Sequence, residues 1–325
     1  MDIAFILNPL DSLKPAKDSS IEMMRAATRH GHRLWAIEPG GLSLVEGVVL
    51  GSVQALTLTD KPVWYKVEPA VSRPLKSFSA VLMRLDPPFN MEYVYHTYLL
   101  ELAETQGARI FNRPHALRDF NEKLSTARFP QLTPPLIVAR DEWVLRSFIE
   151  TQGDVILKPL DGMGGSGIFR VRTGDANIGV ILETMTHYGN HTIMAQRYLP
   201  EITEGDKRVL LVDGVPMPYC LARLPAPGET RGNLAAGGTG RAQPLSARDL
   251  EIANTVAPVL KREGLLLVGL DIIGNCLTEI NVTSPTCRRE IRDQTGFDIT
   301  DAVITALENA LMGSDPARGL TPGGV

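Results

Sequence analysis

Residues 155–171 read V-I-L-K-P-L-D-G-M-G-G-S-G-I-F-R-V, and no other stretch restricts the fold of this chain so tightly. An apolar run, Val155-Ile156-Leu157, ends on Lys158. Asp161, Gly162, Gly164, Gly165 and Gly167 follow, and then apolar and basic residues alternate through Ile168-Phe169-Arg170-Val171. Glycines expose backbone N–H groups that no Cβ screens, so such a loop can close round polyphosphate oxygens. A lysine at its base adds a fixed positive charge. Gly162, Gly164 and Gly167 satisfy G-x-G-x-x-G literally. That fingerprint needs a helix to begin inside the motif, whereas the residues that follow here carry a strand signal. A Walker loop places its lysine after the glycines, beside Ser or Thr, and Lys158 precedes them. What remains is a hairpin whose glycine-rich tip folds over phosphates as a flap. An ordinary hairpin turn with no ligand is the alternative.

The chain has 325 residues, enough for two or three units with ample core. A hydrophobic fraction of 44% and a mean hydropathy of −0.01 describe a soluble globular protein. No apolar run approaches the ~20 residues of a membrane span. The start, Met1-Asp2-Ile3-Ala4-Phe5-Ile6-Leu7-Asn8-Pro9, reads as a buried strand and not as a signal peptide. Cys220, Cys276 and Cys287 lack CxxC spacing, which fits a reduced, cytoplasmic protein. A net charge of −4 offers no general attraction for nucleic acid.

Residues 1–120 alternate strand and helix signals, with helices over about 20–30 and 93–106 and strands at 3–7, 32–37, 80–84 and 109–111. This order predicts a parallel, doubly wound sheet, with an antiparallel hairpin inserted over 53–67. Ligands sit at the carboxyl ends of such strands, where Asn8-Pro9 and Arg84-Leu85-Asp86 fall. From 121 the texture changes to a small α+β unit of about 80 residues that holds the flap. Residues 204–312 form a third piece, with strands at 207–212, 215–224, 265–273 and 276–281 and a helix over 247–263. The last dozen residues read as a disordered tail.

In the third piece, Val268-Gly269-Leu270-Asp271-Ile272-Ile273 turns at Gly274-Asn275 into Cys276-Leu277-Thr278-Glu279-Ile280-Asn281. Hairpin pairing brings Asp271 near Glu279, and the two-residue period puts Glu279 and Asn281 on one face. Two carboxylates and an amide oxygen make a hard oxygen site suited to Mg²⁺; edge-strand acids facing solvent are the alternative. Two strands carry arginines, Arg208 in D-K-R-V-L-L and Arg223 in Y-C-L-A-R, able to grip carboxylate or phosphoryl groups. The segment 225–241 is rich in Gly and small residues and includes Arg231, Gly237 and Gly238, which predicts a mobile lid.

The order Lys123 in N-E-K-L, Lys158 with its flap, Lys207-Arg208, and Asp271 with Glu279-Ile280-Asn281 resembles the ATP-grasp superfamily. Over roughly residues 1–310 the chain resembles bacterial glutathione synthetases. The strings are D-P-P-F at 86–89, G-D-K-R-V-L at 205–210, G-E-T-R-G-N-L-A-A-G-G at 228–238 and E-I-N-V-T-S-P-T at 279–286. The resemblance implies an ATP-grasp fold behind an N-terminal α/β domain (1–122), a small ATP-grasp lid domain (123–203) and a C-terminal ATP-grasp domain (204–312). It implies ligation of γ-glutamylcysteine to glycine with ATP through an acyl phosphate, and a homotetramer. By the same resemblance Lys123, Lys158 and Gly162, Gly164, Gly165 and Gly167 contact the ATP phosphates, and Gln196 lies near the adenine. Asp271, Glu279 and Asn281 hold Mg²⁺, with Mn²⁺ as a substitute. Arg208 and Arg223 act in catalysis, and Arg84, Arg223, Arg231, Gly237 and Gly238 bind substrate. One departure stands out: the family carries arginine directly after the paired glycines, and here Thr239 follows, with Arg241 two places on. A different ATP-grasp carboxylate–amine ligase and a non-catalytic ATP-binding regulator are the alternatives.

Overall fold

The computed structural model describes residues 1–15, 18–229, 231–234 and 237–313, so the expected tail lies almost wholly outside the described residues. Its strands form three sheets. In the first, Asp2–Ile6 is flanked in parallel by Arg33–Ile37 and Ala80–Met83, and Ile110–Phe111 lies parallel beyond the latter. Ile3–Ile6 and Ala80–Met83 are buried at every residue, the uniform apolar pattern of parallel strands covered on both faces. The helices Ser19–Arg29 and Met91–Thr105 supply the crossovers. Asp18 starts the first by accepting from the Ser20 and Ile21 N–H groups at 2.7 and 3.0 Å, and Asn90 starts the second from Tyr93 N–H at 3.0 Å.

A parallel return needs a crossover of about a dozen residues or more, and residues 38–79 contain no helix longer than one short turn. The strands within this connection pair antiparallel, and it still returns to Ala80–Met83 in parallel. Val48–Leu58 pairs with Arg33–Ile37 and carries Leu42–Val45, Tyr65–Val67 and Val71–Pro74, a larger insertion than the single hairpin expected.

The second sheet is wholly antiparallel, in the order Phe169–Arg172, Asp154–Pro159, Ile193–Arg197, Leu136–Ala139. Its helices Glu142–Gln152 and Ile178–Thr186 help close a small core of its own, including Leu145, Ile149, Leu157 and Leu182. The third sheet runs Thr239–Pro244, Val215–Leu224, Asp206–Val212, Leu267–Ile273, Cys276–Asn281. Ser246 and Asp249 cap its helix Ala247–Arg262 reciprocally, and the helices Arg288–Thr295 and Ile299–Met312 end the described chain. The strand Thr239–Pro244 corrects the expected lid, which stops at 238. T-G-R-A-Q-P has little strand character of its own, and its pairing with Val215–Leu224, from Thr239 opposite Leu224 to Pro244 opposite Tyr219, makes it an edge strand.

The first and third sheets share their apolar cores: Ala4 and Ile6 cluster with Val209 and Leu270, and Ile3 and Phe5 with Leu210 and Val303. Asn112 fastens the two sheets from within. Its amide donates to the Leu267 and Val282 carbonyls at 2.8 and 2.7 Å, and its oxygen accepts from Leu267 N–H at 3.0 Å. Among the described residues no helix is long and apolar enough to cross a membrane.

Replacing Asn112 by Ala strands one buried N–H and two carbonyls. Asn112→Ala is expected to destabilise the chain by about 2–4 kcal/mol, read as a lowered urea midpoint with an unchanged slope.

Candidate active site

Antiparallel pairing in the third sheet sets charged side chains in a row. Asp206 lies opposite Arg223, Arg208 opposite Asp271, and Asp271 opposite Glu279. Because side chains alternate along a strand, Asp206 and Arg208 share a face, while Lys207 turns the other way to Asp249. Gly269 makes room for the arginine stem, since a Cβ there would sit 2.9 Å from Arg208 Cδ. Arg208 grips Asp271 with Nε to Oδ1 at 2.5 Å and Nη2 to Oδ2 at 3.0 Å. Arg223 Nη2 reaches Asp271 Oδ2 at 2.7 Å and Asp206 Oδ2 at 2.5 Å. Burial alone would raise the Asp271 carboxyl, but the two guanidiniums more than offset it and hold it well below the usual range. Asp206 responds differently. Burial, against the pull of Arg223 and with the push of Asp271 and Glu279, brings it up to about 7.

Above this row lies a cavity of about 340 Å³. Arg208, Arg223, Glu279 and Asn281 line it from the third sheet, Ile156, Leu199, Ile202 and Ile273 give it an apolar end, and Thr283–Thr286 form a rim. Lys123, at the start of the short turn Leu124–Arg128, binds Glu122 and donates to the Gly162 carbonyl at 2.6 Å; Glu279 is 3.9 Å away. Burial pushes Glu122 up to about 7, and the Glu279 charge adds to this against Lys123. Lys158 is 6% exposed, burial pushes its ammonium down, and that ammonium has no hydrogen bond or ion pair among the described residues. Gln196 Nε2, Asp206 Oδ1 and Asn281 Nδ2 are buried without a partner among the described residues, and all three residues line the cavity. A buried polar atom left unpaired costs about 1–3 kcal/mol. This is a cavity shaped for a polar ligand.

The flap closes its upper side. Gly165 adopts φ +82°, and a Cβ on it would lie 2.7 Å from Asn233 Oδ1 of the lid, so only glycine fits both the turn and the contact. Arg231 holds the two loops together, with Nη1 donating to the Gly165 carbonyl at 3.2 Å and Nη2 to Glu229 at 2.5 Å.

Of the residues named from sequence, Lys123, Lys158, Gly162, Gly164, Gly165, Gln196, Arg208, Arg223, Arg231, Glu279 and Asn281 line this cavity. The others fall elsewhere. Gly167 ends the flap with φ +69°, where a Cβ would lie 3.3 Å from Pro159 Cγ. Asp271 sits behind the lining, tied to its arginines. Arg84 is buried and grips the rim loop, donating to the Thr283 carbonyl at 3.1 Å and Ser284 Oγ at 3.2 Å. Gly237 and Gly238 lie at the base of the lid, where a Cβ on Gly238 would meet the Gly232 carbonyl at 2.5 Å. Arg241 stands on the edge strand beside Gln243 and does not line the cavity. Thr230, Ala235 and Ala236 of the lid lie outside the described residues. Sequence reasoning missed Glu122 and Asp206, although one neighbours Lys123 and the other precedes Arg208 by one strand period. It left Cys287 without a role; the thiol is buried at the rim, and burial raises it.

The raised carboxyl of Asp206 favours folding below the ordinary carboxylate range, and that contribution is lost as pH rises through about 7. Asn cannot ionise, so the stability of Asp206→Asn relative to the unsubstituted chain is expected to grow as pH rises from about 5 to 7 and then level off. Paired urea melts without nucleotide check this, and a pH-independent difference would refute it.

Two family profiles match the sequence: prokaryotic glutathione synthetase, N-terminal domain, over residues 1–118, and prokaryotic glutathione synthetase, ATP-grasp domain, over residues 122–296. Glutathione synthetase of Nitrosomonas europaea is 57% identical over 312 residues, covering 95% of this chain and 98% of the relative. That of Ralstonia nicotianae is 55% identical over 311 residues, covering 95% and 96%. Among solved structures, D-cycloserine synthetase DcsG superposes with a TM-score of 0.66 at 14% identity, covering 95% of this chain and 99% of its own. The ATP-grasp ligase PsnB, complexed with minimal precursor, Mg and ADP, gives 0.61 at 16%, covering 95% and 98%; at such identities these two share the fold alone. Sequence, fold and a charged cavity under a glycine flap agree: the chain belongs to the prokaryotic glutathione synthetase family, whose members are ATP-dependent ligases of the ATP-grasp fold.

Proposed function

We propose that this cavity joins γ-glutamylcysteine to glycine, with ATP cleaved to ADP and phosphate. The observation that carries this reading is that Gln196, Asp206 and Asn281, each with a buried polar atom unpaired among the described residues, line one cavity with Lys158 beneath the flap. Relatives at 52–57% identity along nearly the whole chain favour it over another ATP-grasp ligase. The intact charged row disfavours a non-catalytic ATP-binding protein.

The cysteinyl carboxylate attacks the γ-phosphorus and ADP leaves; glycine's amine then attacks the acyl phosphate carbon and phosphate leaves. Neither step needs a protein nucleophile, so the chain's task is positioning and charge stabilisation. Lys123 and Lys158 hold the phosphates, the 162–167 flap covers them, and Gln196 meets the adenine edge between Ile156 and Ile273. Arg208 and Arg223 face the transferring phosphoryl and the developing oxyanion, with Asp271 and Asp206 fixing their direction. Arg84 acts by holding the rim, and Arg231 by closing the lid on the flap, which keeps water from the acyl phosphate.

The donor set fits a hard divalent cation. Glu279 and Asn281 turn oxygen-bearing groups into the cavity, and Asp271 uses three of its roughly four acceptor sites on arginine N–H groups. Mg²⁺, or Mn²⁺ in its place, would be held by Glu279, Asn281 and Asp271 and would neutralise charge on the β- and γ-phosphates. A cytoplasmic homotetramer completes the proposal; Met91, Tyr95 and Tyr98 leave exposed apolar surface on one N-terminal helix that would serve assembly.

Phosphate release from ATP and Mg²⁺ is expected to require both γ-glutamylcysteine and glycine; release that ignores glycine would overturn the substrate assignment. Glu279→Gln and Asn281→Ala are each expected to lower kcat by about 100-fold or more, and unchanged kcat in both would refute the cation site.

A further inference from the structure

Far from the cavity, the helix Ser19–Arg29 ends in R-H-G-H. Gly31 takes φ +77°, its N–H donates to the Thr28 carbonyl at 2.9 Å, and His32 N–H donates to the Ala27 carbonyl at 3.0 Å. This paired closure reverses the chain at glycine and leaves the imidazoles of His30 and His32 side by side, with ring centroids 6.2 Å apart. Both face the helix Ile299–Met312. His30 Nδ1 lies 3.2 Å from each carboxylate oxygen of Glu308, and His32 Nε2 lies 2.8 Å from Glu308 Oε1. On the other side of the ring, His30 Nε2 meets Asp301 Oδ1 at 2.9 Å, and Arg29 lies 3.8 Å from that same oxygen.

Two details separate this cluster from an ordinary ion-pair patch. His32 is 6% exposed, and despite its short approach to Glu308 its Nε2 has no aligned hydrogen bond among the described residues. A hydrogen bond aims the ring axis along the N···O line. A metal bonded to both atoms at about 2.1 Å would sit about 50° off that line, so a short, misaligned approach fits shared coordination. The second detail is His30, which has a carboxylate at each nitrogen. Neutral imidazole can donate to only one of them. Donation from Nε2 to Asp301 leaves the Nδ1 lone pair facing Glu308, the arrangement of a ligating histidine oriented by an outer carboxylate. The Met1 amine, 3.5 Å from His32 Nδ1, is at the outer limit of a hydrogen bond and does not fix that ring's tautomer.

We propose that His30 Nδ1, His32 Nε2 and the Glu308 carboxylate form a transition-metal site, with Asp301 as the group that orients His30. Two imidazoles and one carboxylate select Zn²⁺ and its neighbours over Mg²⁺ or Ca²⁺. His30 and Glu308 are 20% and 24% exposed, so water can reach a fourth position. None of the three residues lines the ligand cavity. The metal would therefore act as a clasp between helices far apart in the chain, and binding to the folded state alone raises stability.

The test uses the chelator-treated full chain without nucleotide. Co²⁺ is expected to bind one per chain with the visible absorption of a low-coordinate nitrogen–oxygen site, Zn²⁺ to displace it, and Zn²⁺ to raise the melting temperature. His32→Gln and, as a second variant, Glu308→Gln are expected to abolish the Co²⁺ spectrum, and Asp301→Asn to weaken binding about 10–100-fold. Glu279→Gln is expected to leave the spectrum intact, which separates this site from the catalytic cation. Absence of the Co²⁺ spectrum, or a spectrum unchanged in both ligand variants, would overturn the proposal and leave His30 as a protonated link between Asp301 and Glu308.

Discussion

Two arginines and two aspartates buried side by side on neighbouring strands are the constraint from which the rest of the site follows. Removing any one charge from water costs several kcal/mol, and only paired, well-directed partners offset that. Asp271 is the hinge of the set, because both guanidiniums close on its two oxygens. The set in turn demands one strand register, since a slip of a single residue would turn the whole row to the opposite face. It demands glycine at 269, where the Arg208 stem passes. Glu279 then stands at the edge of the cavity because it is paired with Asp271.

The apolar packing divides the molecule differently from the order of the chain. The first and last sheets share cores and are fastened by Asn112, while the middle sheet closes round a core of its own. The flap over the cavity comes from the middle sheet, and the charged row beneath it and the lid beside the flap come from the shared body. Arg84 extends that body to the rim, clamping residues 283 and 284 from the end of a parallel strand.

What could be read from sequence was what depends on neighbours along the chain. The flap was legible because apolar runs flank its glycines, and the Asp271–Glu279 pairing because only a two-residue turn separates the strands. The end of the lid was not, since T-G-R-A-Q-P becomes a strand only beside Val215–Leu224. Nor was the true place of Arg84, whose partners lie about 200 residues away. Asp271 shows the mixture best. Its position was readable, but its capture by two arginines depends on three strands meeting in register. That is why it stands behind the cavity lining, with Glu279 and Asn281 in front of it.

One hydrogen bond from Arg231 to the Gly165 carbonyl ties flap and lid into a single latch. On the proposed function, ATP would enter beneath the flap and the peptide substrate beneath the lid. With that bond formed the two covers would move together, so the two exits would share one opening. The nucleotide product and the peptide product would then be freed by the same opening event, and the order in which they leave would be decided by their own affinities once the latch is undone.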